Sequence, residues 1–151
     1  MPSSEEAMPQ DLVAACRRLY ASIDRLDTKA ANTVGVSRND LRCLNMLAEA
    51  PIKPSKIAAE LGLTTGSVTT LLDRLEKADL ARRELDPNDR RGIVVHPTQY
   101  LFEALGPIYS AVAKEIERIA AEYSADERKA AVTHLNDASS AYEVVTSIND
   151  R

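Results

Sequence analysis

Apolar residues recur along the chain at helical spacing, and the interruptions divide it into segments. From Gln10 to about Thr33, Leu12, Cys16, Leu19, Ile23 and Leu26 step by four and three. That rhythm predicts one long helix with a seam for another helix. Gly35 ends it, and Ser37-Arg38-Asn39-Asp40 resembles a capping box with Asp in place of Glu or Gln. The helix it opens turns Leu41, Leu44, Leu47 and Ala48 inward and stops before Pro51. Pro54 suits the first turn of a short third helix with Ile57, Ala58 and Leu61 inside, closed by Gly62. Thr64 caps a fourth, with Val68, Leu71, Leu72 and Leu75 on one face. Two strand-like runs follow, Leu80–Leu85 and Ile93–His96, around the polar turn cluster Asp86–Gly92. Thr98 then starts a long helix striped by Leu101, Leu105, Ile108, Val112, Ile116, Ile119 and Tyr123, with a kink expected at Pro107. Ser124-Ala125-Asp126-Glu127 is a second capping box. It opens a last helix with Val132, Leu135, Ala138, Tyr142, Val145 and Ile148 on one side.

Two helices joined by a tight Gly-containing turn make a helix-turn-helix, and the hairpin after them makes it winged. The fold expected is mainly α: a winged helix-turn-helix with long N- and C-terminal dimerisation helices and a small two- or three-stranded wing. Residues 1–9 read as a disordered tail, 36–97 as the DNA-binding head, and 10–35 with 98–149 as the dimerisation helices. The terminal stripes are too long for one small lobe to bury, which predicts a homodimer with intertwined ends. A two-fold dimer sets two recognition helices about 34 Å apart and reads a pseudo-palindrome in double-stranded DNA.

The fourth helix carries that reading. Thr65, Ser67, Thr69 and Thr70 lie outward near its start, as short hydroxyls that donate or accept, with Thr methyls able to touch thymine. Gly66 costs about 1 kcal/mol against Ala in a helix, and in return lets a phosphate approach the backbone. Arg74 is expected to fix the helix on the DNA backbone. In the wing, Arg91 suits a minor-groove probe aimed by Asp89, with Arg90 and Lys56 near phosphates.

Composition changes the picture little, charge somewhat more. The 151 residues are one domain's worth of chain. No apolar run spans a bilayer, and the polar, acidic start lacks the marks of a signal peptide, so a cytoplasmic protein is expected. The formal charge of −4 weighs against nucleic acid until it is divided. Lys53 to Val95 holds eight basic and seven acidic residues, so this module is +1 and the remainder −5. The modest surplus implies reliance on specific contacts in two half-sites.

The run LTTGSVTTLLDRLEKADLARRELDPNDRRGIVV resembles the core of the multiple antibiotic resistance regulator family, MarR. Leu72, Arg74, Leu75 and Glu76 occupy its L-x-R-L-E pattern, and Asp89, Arg91 and Gly92 its D-x-R-G wing. The likeness extends over about residues 10–149. Three positions depart from it: Thr70 where a basic residue is common, Asp79 where Gly usually turns the chain, and Pro97-Thr98 where Leu-Thr follows the wing. Asp tolerates left-handed backbone better than most residues.

The resemblance implies a dimeric repressor released by a small aromatic or amphipathic effector, held between long helices and head. Arg17, Tyr20, Arg42, Met46 and Tyr109 are its candidates by position. Cys16 offers an alternative, since Cys16–Ser22 resembles the first helix of organic-hydroperoxide sensors in the same family. Against it, Cys16 fits the apolar seam, and no tyrosine lies between Asp27 and Leu47 to hold a thiolate. Zinc sensing would draw on Cys16, Cys43, His96 and His134, whose spacing makes no motif. No cofactor or metal is expected, and neither Gly-rich phosphate loop nor nucleophile–base motif supports an enzyme. A winged-helix module that binds protein instead of DNA is the remaining alternative.

Overall fold

A computed structural model describes residues 8–148, without the side chains of Arg90 and Ile148. The elements run α1 (Pro9–Val34), α2 (Arg38–Glu49), α3 (Pro54–Leu61), α4 (Thr65–Lys77), β1 (Ala81–Asp86), β2 (Asp89–Pro97), α5 (Gln99–Ala121) and α6 (Ala125–Ile148). The expected tail lies mostly outside the described residues, and α1 starts inside it, at Pro9. The mainly helical architecture with one small antiparallel sheet is as expected.

Local chemistry accounts for the element ends. Gly35 and Gly62 take left-handed backbone, at φ 70° and 63°, where a Cβ would be strained. Asp79 does the same at φ 57°, a conformation that Asp tolerates better than most residues. Ser37 and Asp40 form the reciprocal capping box of α2, and Ser124 and Glu127 form that of α6, at 2.7 and 3.2 Å. The Thr98 hydroxyl accepts from Leu101 N and donates to the Asp79 carbonyl, so one side chain starts α5 and holds the turn after α4.

The hairpin is longer than the sequence pattern predicted. Leu80 is buried but precedes β1, and only Pro87 and Asn88 separate the strands. Pairing runs regularly from Ala81↔Pro97 to Leu85↔Ile93, then jumps to Asp86↔Asp89. Residues 90–92 therefore bulge from the ladder. Ile52 adds an isolated antiparallel bridge to Val95, the trace of a third strand.

The chain divides into two compact units, residues 21–110 and residues 1–20 with 111–151. The first holds the core: Leu41, Leu44 and Leu47 of α2, Ile57 of α3, Val68, Leu71, Leu72 and Leu75 of α4, Val95 of β2, with Ala30, Ala31, Leu101 and Leu105. Packing thus draws the second half of α1 and the start of α5 into the unit of the expected head. Cys43 is fully buried in the core, whereas Ala48, expected inside, is exposed. In the other unit, Leu12, Val13 and Leu19 of α1, Val112, Ile116 and Ile119 of α5, and Val132, Leu135, Tyr142 and Val145 of α6 are exposed. Among the described residues, no helix is long and apolar enough to cross a membrane.

Candidate nucleic-acid interface

α4 is built to show one face. Its apolar row is buried, leaving Thr65, Gly66, Ser67, Thr69 and Thr70 exposed near its start. The Thr64 hydroxyl caps the helix by accepting from Ser67 N at 3.2 Å and lies 2.9 Å from the Ser67 hydroxyl. Thr69 and Thr70 donate their hydroxyl protons back to the carbonyls of Thr65 and Gly66, each at 3.1 Å. With those protons engaged, the two threonines offer methyl groups and lone pairs. A Cβ on Gly66 would meet nothing within 4 Å, so packing within the chain does not require glycine there.

Charged braces fix α4 to its neighbours. Arg74 forks onto Asp40 of α2, with Nη2 to Oδ1 at 2.6 Å and Nε to Oδ2 at 3.2 Å. From β1, Arg83 donates to the Asp73 carboxylate at 2.8 Å, to the Thr69 carbonyl at 3.0 Å and to Glu76, whose other oxygen accepts Arg83 N at 2.7 Å. The turn end of the wing is tied to the N-cap of α3 by Lys53 and the buried Asp86, 2.8 Å apart. The hydrogen bond from Lys53, then that from Asn88 N, holds the Asp86 carboxyl below its ordinary range. Arg82 pairs with Glu84 at 2.6 Å, and His96 lies 3.4 Å from the same carboxylate.

The wing tip is shaped by Asp89 and Gly92. Asp89 accepts the Arg91 backbone N–H at 3.0 Å, where a grip on the guanidinium was expected. A Cβ on Gly92 would lie 3.1 Å from Asp89 Oδ2 and 3.1 Å from Asp86 Cβ, so glycine lets the bulge close on these two acids. Arg91 is exposed, while the Arg90 side chain lies outside the described residues. Among the described residues, Lys53, Arg74, Arg82 and Arg83 of this module make ion pairs, and Lys56, Lys77 and Arg91 make none.

The effector candidates belong to different units and, within one unit, to different clefts. Arg17 and Tyr20 belong to one compact unit, and Arg42, Met46 and Tyr109 to the other. Met46 lines a cleft of about 360 Å³ with Glu49, Lys56 and Glu60. Tyr109 lines a different, almost wholly apolar cleft of about 360 Å³ with Leu44, Leu101, Phe102 and Leu105. Its hydroxyl lies 3.3 Å from Asn45 Oδ1 and 3.4 Å from Asp27 Oδ1, and burial raises its pKa. Arg42 is exposed.

The two thiols differ. Burial, then the nearby Asp40 charge, pushes Cys43 up to about 12, which leaves it a small hydrophobe. Cys16 is half-buried, and its Sγ lies 3.9 Å from His134 Nε2. No local pattern announces that pair, since its members stand 118 positions apart. No third ligating side chain joins them in a metal-holding group among the described residues.

The MarR family model matches residues 34–92, which span α2 to the wing tip. An uncharacterized HTH-type transcriptional regulator of Bacillus subtilis (strain 168), YcgE, is 32% identical over 126 residues, covering 83% of this chain and 82% of YcgE. Among solved structures, RV1404 from Mycobacterium tuberculosis superimposes with a TM-score of 0.69 at 22% identity, over 93% of this chain and 98% of its own. The S. aureus MepR–DNA complex is similar with a TM-score of 0.54 at 18% identity, over 83% of this chain and 98% of MepR. The family model and YcgE are of regulators, not enzymes. The hydroxyl-faced α4, the Asp-x-Arg-Gly wing and this likeness across most of the chain together place it in the MarR family of transcriptional regulators.

Proposed function

We propose that the protein is a homodimeric repressor that reads a pseudo-palindromic operator, with one head in each of two successive major grooves. The observation that carries this is the division of cations described above. The braced arginines hold α4 and the wing in place, while Arg91 and Lys56 are left without ion pairs among the described residues. Thr65, Ser67, Thr69 and Thr70 face base edges, where the methyls of the threonines meet thymine and their oxygens accept from adenine or cytosine amino groups. Gly66 lets a phosphate approach the start of α4. Arg91 enters the minor groove from a tip shaped by Asp89, with Arg90 and Lys56 near phosphates. MepR, solved in complex with DNA, gives the reading a precedent of the same fold. A small aromatic or amphipathic effector would release the dimer by binding a geometry with the wrong half-site spacing better than the DNA-competent one. The apolar cleft beside Tyr109 is its seat in this proposal.

The test starts from duplexes selected by the protein out of a random pool. A specific binder returns a two-fold motif and loses affinity steeply as salt rises. A protein-interaction module returns no sequence-preferring complex at any salt. On the selected duplex, Arg91→Ala is expected to weaken binding about tenfold or more, one base-reading contact being worth roughly 1–3 kcal/mol. Unchanged affinity removes the wing-tip role.

The Cys16–His134 approach favours a second reading, in which the thiol senses peroxide. The Cys16 sulfur takes one peroxide oxygen to become a sulfenic acid, the O–O bond breaks, and the departing oxygen takes up the thiol proton, passed through the His134 ring. Hydroperoxide is then expected to release wild type from DNA but not Cys16→Ser. Equal behaviour of the two ends this reading and leaves the DNA-binding proposal intact.

A further inference from the structure

We infer that Arg74 and Asp40 form a positioning pair that sets the angle of α4 against α2, and that Arg74 does not serve as a phosphate contact. The inference rests on the DNA-binding reading above and revises the expectation, drawn from the sequence, that Arg74 fixes the helix on the DNA backbone. Asp40 is 2% exposed and does two jobs at once. Its carboxylate closes the α2 capping box by accepting from Ser37 N at 3.3 Å, and it receives the Arg74 fork through both oxygens. A buried carboxylate stripped of its partner is costly, so Arg74 is not free to swing to a phosphate. A phosphate brought to the same guanidinium would also face the Asp40 charge.

The geometry explains why the pair matters for reading bases. Arg74 shares a shallow depression with Ser67 and Thr70 of α4 and with Ser37 and Asn39 at the start of α2. It stands one turn beyond Thr70, so the fork anchors α4 just past its base-facing residues. On the other flank, Arg83 holds Asp73, Glu76 and the Thr69 carbonyl. The helix is therefore gripped from α2 and from β1, one brace per side. Both braces use arginine, whose planar fork fixes direction as well as distance, which a lysine does not.

The experiment compares wild type, Arg74→Lys, Arg74→Gln and Asp40→Asn on a duplex selected by wild type and on a scrambled duplex of equal length and composition. Affinities are measured from 50 to 300 mM salt, below each variant's melting transition as followed by circular dichroism. A positioning pair predicts that all three variants lose about tenfold or more in the ratio of specific to scrambled affinity. Binding to the scrambled duplex, and the salt slope, should stay as in wild type. Asp40→Asn should match Arg74→Gln although it touches no DNA, and the double variant should lose no more than either single one. A phosphate contact predicts the opposite: Arg74→Gln weakens both duplexes alike and flattens the salt slope by about one per half-site, while Arg74→Lys is nearly silent. That outcome overturns the inference, as does an unchanged specificity ratio in variants whose melting temperature falls. If wild type selects no duplex, it is the DNA-binding reading that fails.

Discussion

A chain carrying Ile116→Glu and Val145→Asp is expected to stay folded, become monomeric and lose about 100-fold or more in affinity for a selected operator. Both side chains lie in the open, at 60% and 61% exposure, so the charges disturb no core within the chain. They belong to a stripe that also exposes Leu12, Leu19, Ile119, Val132, Leu135 and Tyr142. So many large apolar side chains left open on one compact unit mark an association site. Each such side chain taken from water contributes roughly 1.5–3 kcal/mol, and a charge placed there reverses the sign. The affinity estimate follows from bivalency: joining two heads raises binding by about 10² to 10⁴ over one. Sedimentation gives the assembly state, and titration of the duplex gives the affinity. A double variant that remains dimeric would place the interface elsewhere. A wild-type chain that sediments as a monomer would remove the two-fold reading altogether.

Leu75→Ala is expected to cost roughly 3 kcal/mol of folding stability, within the 2–5 kcal/mol span of buried leucine truncations. Leu75 is fully buried on α4 and belongs to the core that also takes Leu44, Ile57, Leu80 and Val95. The same helix offers the control: Thr69→Ala removes an exposed side chain and is expected to change stability by no more than about 0.5 kcal/mol. Urea unfolding must be run at one protein concentration, since association adds its own stabilisation. If the two substitutions cost alike, α4 is not seated through its apolar row, and the exposed face assigned to DNA loses its foundation.

Helix existence and facing were legible in the residues because the physics is local. Val68, Leu71, Leu72 and Leu75 recur at helical spacing, and all four are buried. The Ser37 box, the Thr64 cap and Pro54 at a helix start are signals confined to four residues, and each appears where expected. The hairpin limits were less legible. Polar, turn-forming residues from Asp86 to Gly92 read as one loop, whereas β2 begins at Asp89, because a bulge lets such residues sit within a strand. Least legible were the ion pairs. Arg74 reads as a free cation on a recognition helix, and nothing near it in sequence points to Asp40, 34 positions away. Long side chains meet only after folding, so the pairs that brace α4 were less visible than the face the helix leaves exposed.

The jump in pairing between Leu85↔Ile93 and Asp86↔Asp89 bears on how such a wing can vary. Slack gathered at its far end uncouples reach from alternation: residues can be gained or lost beyond Ile93 without turning Val95 out of the interior. Wing length is thus open to drift and to engineering, in steps of single residues, while the base of the hairpin keeps its footing.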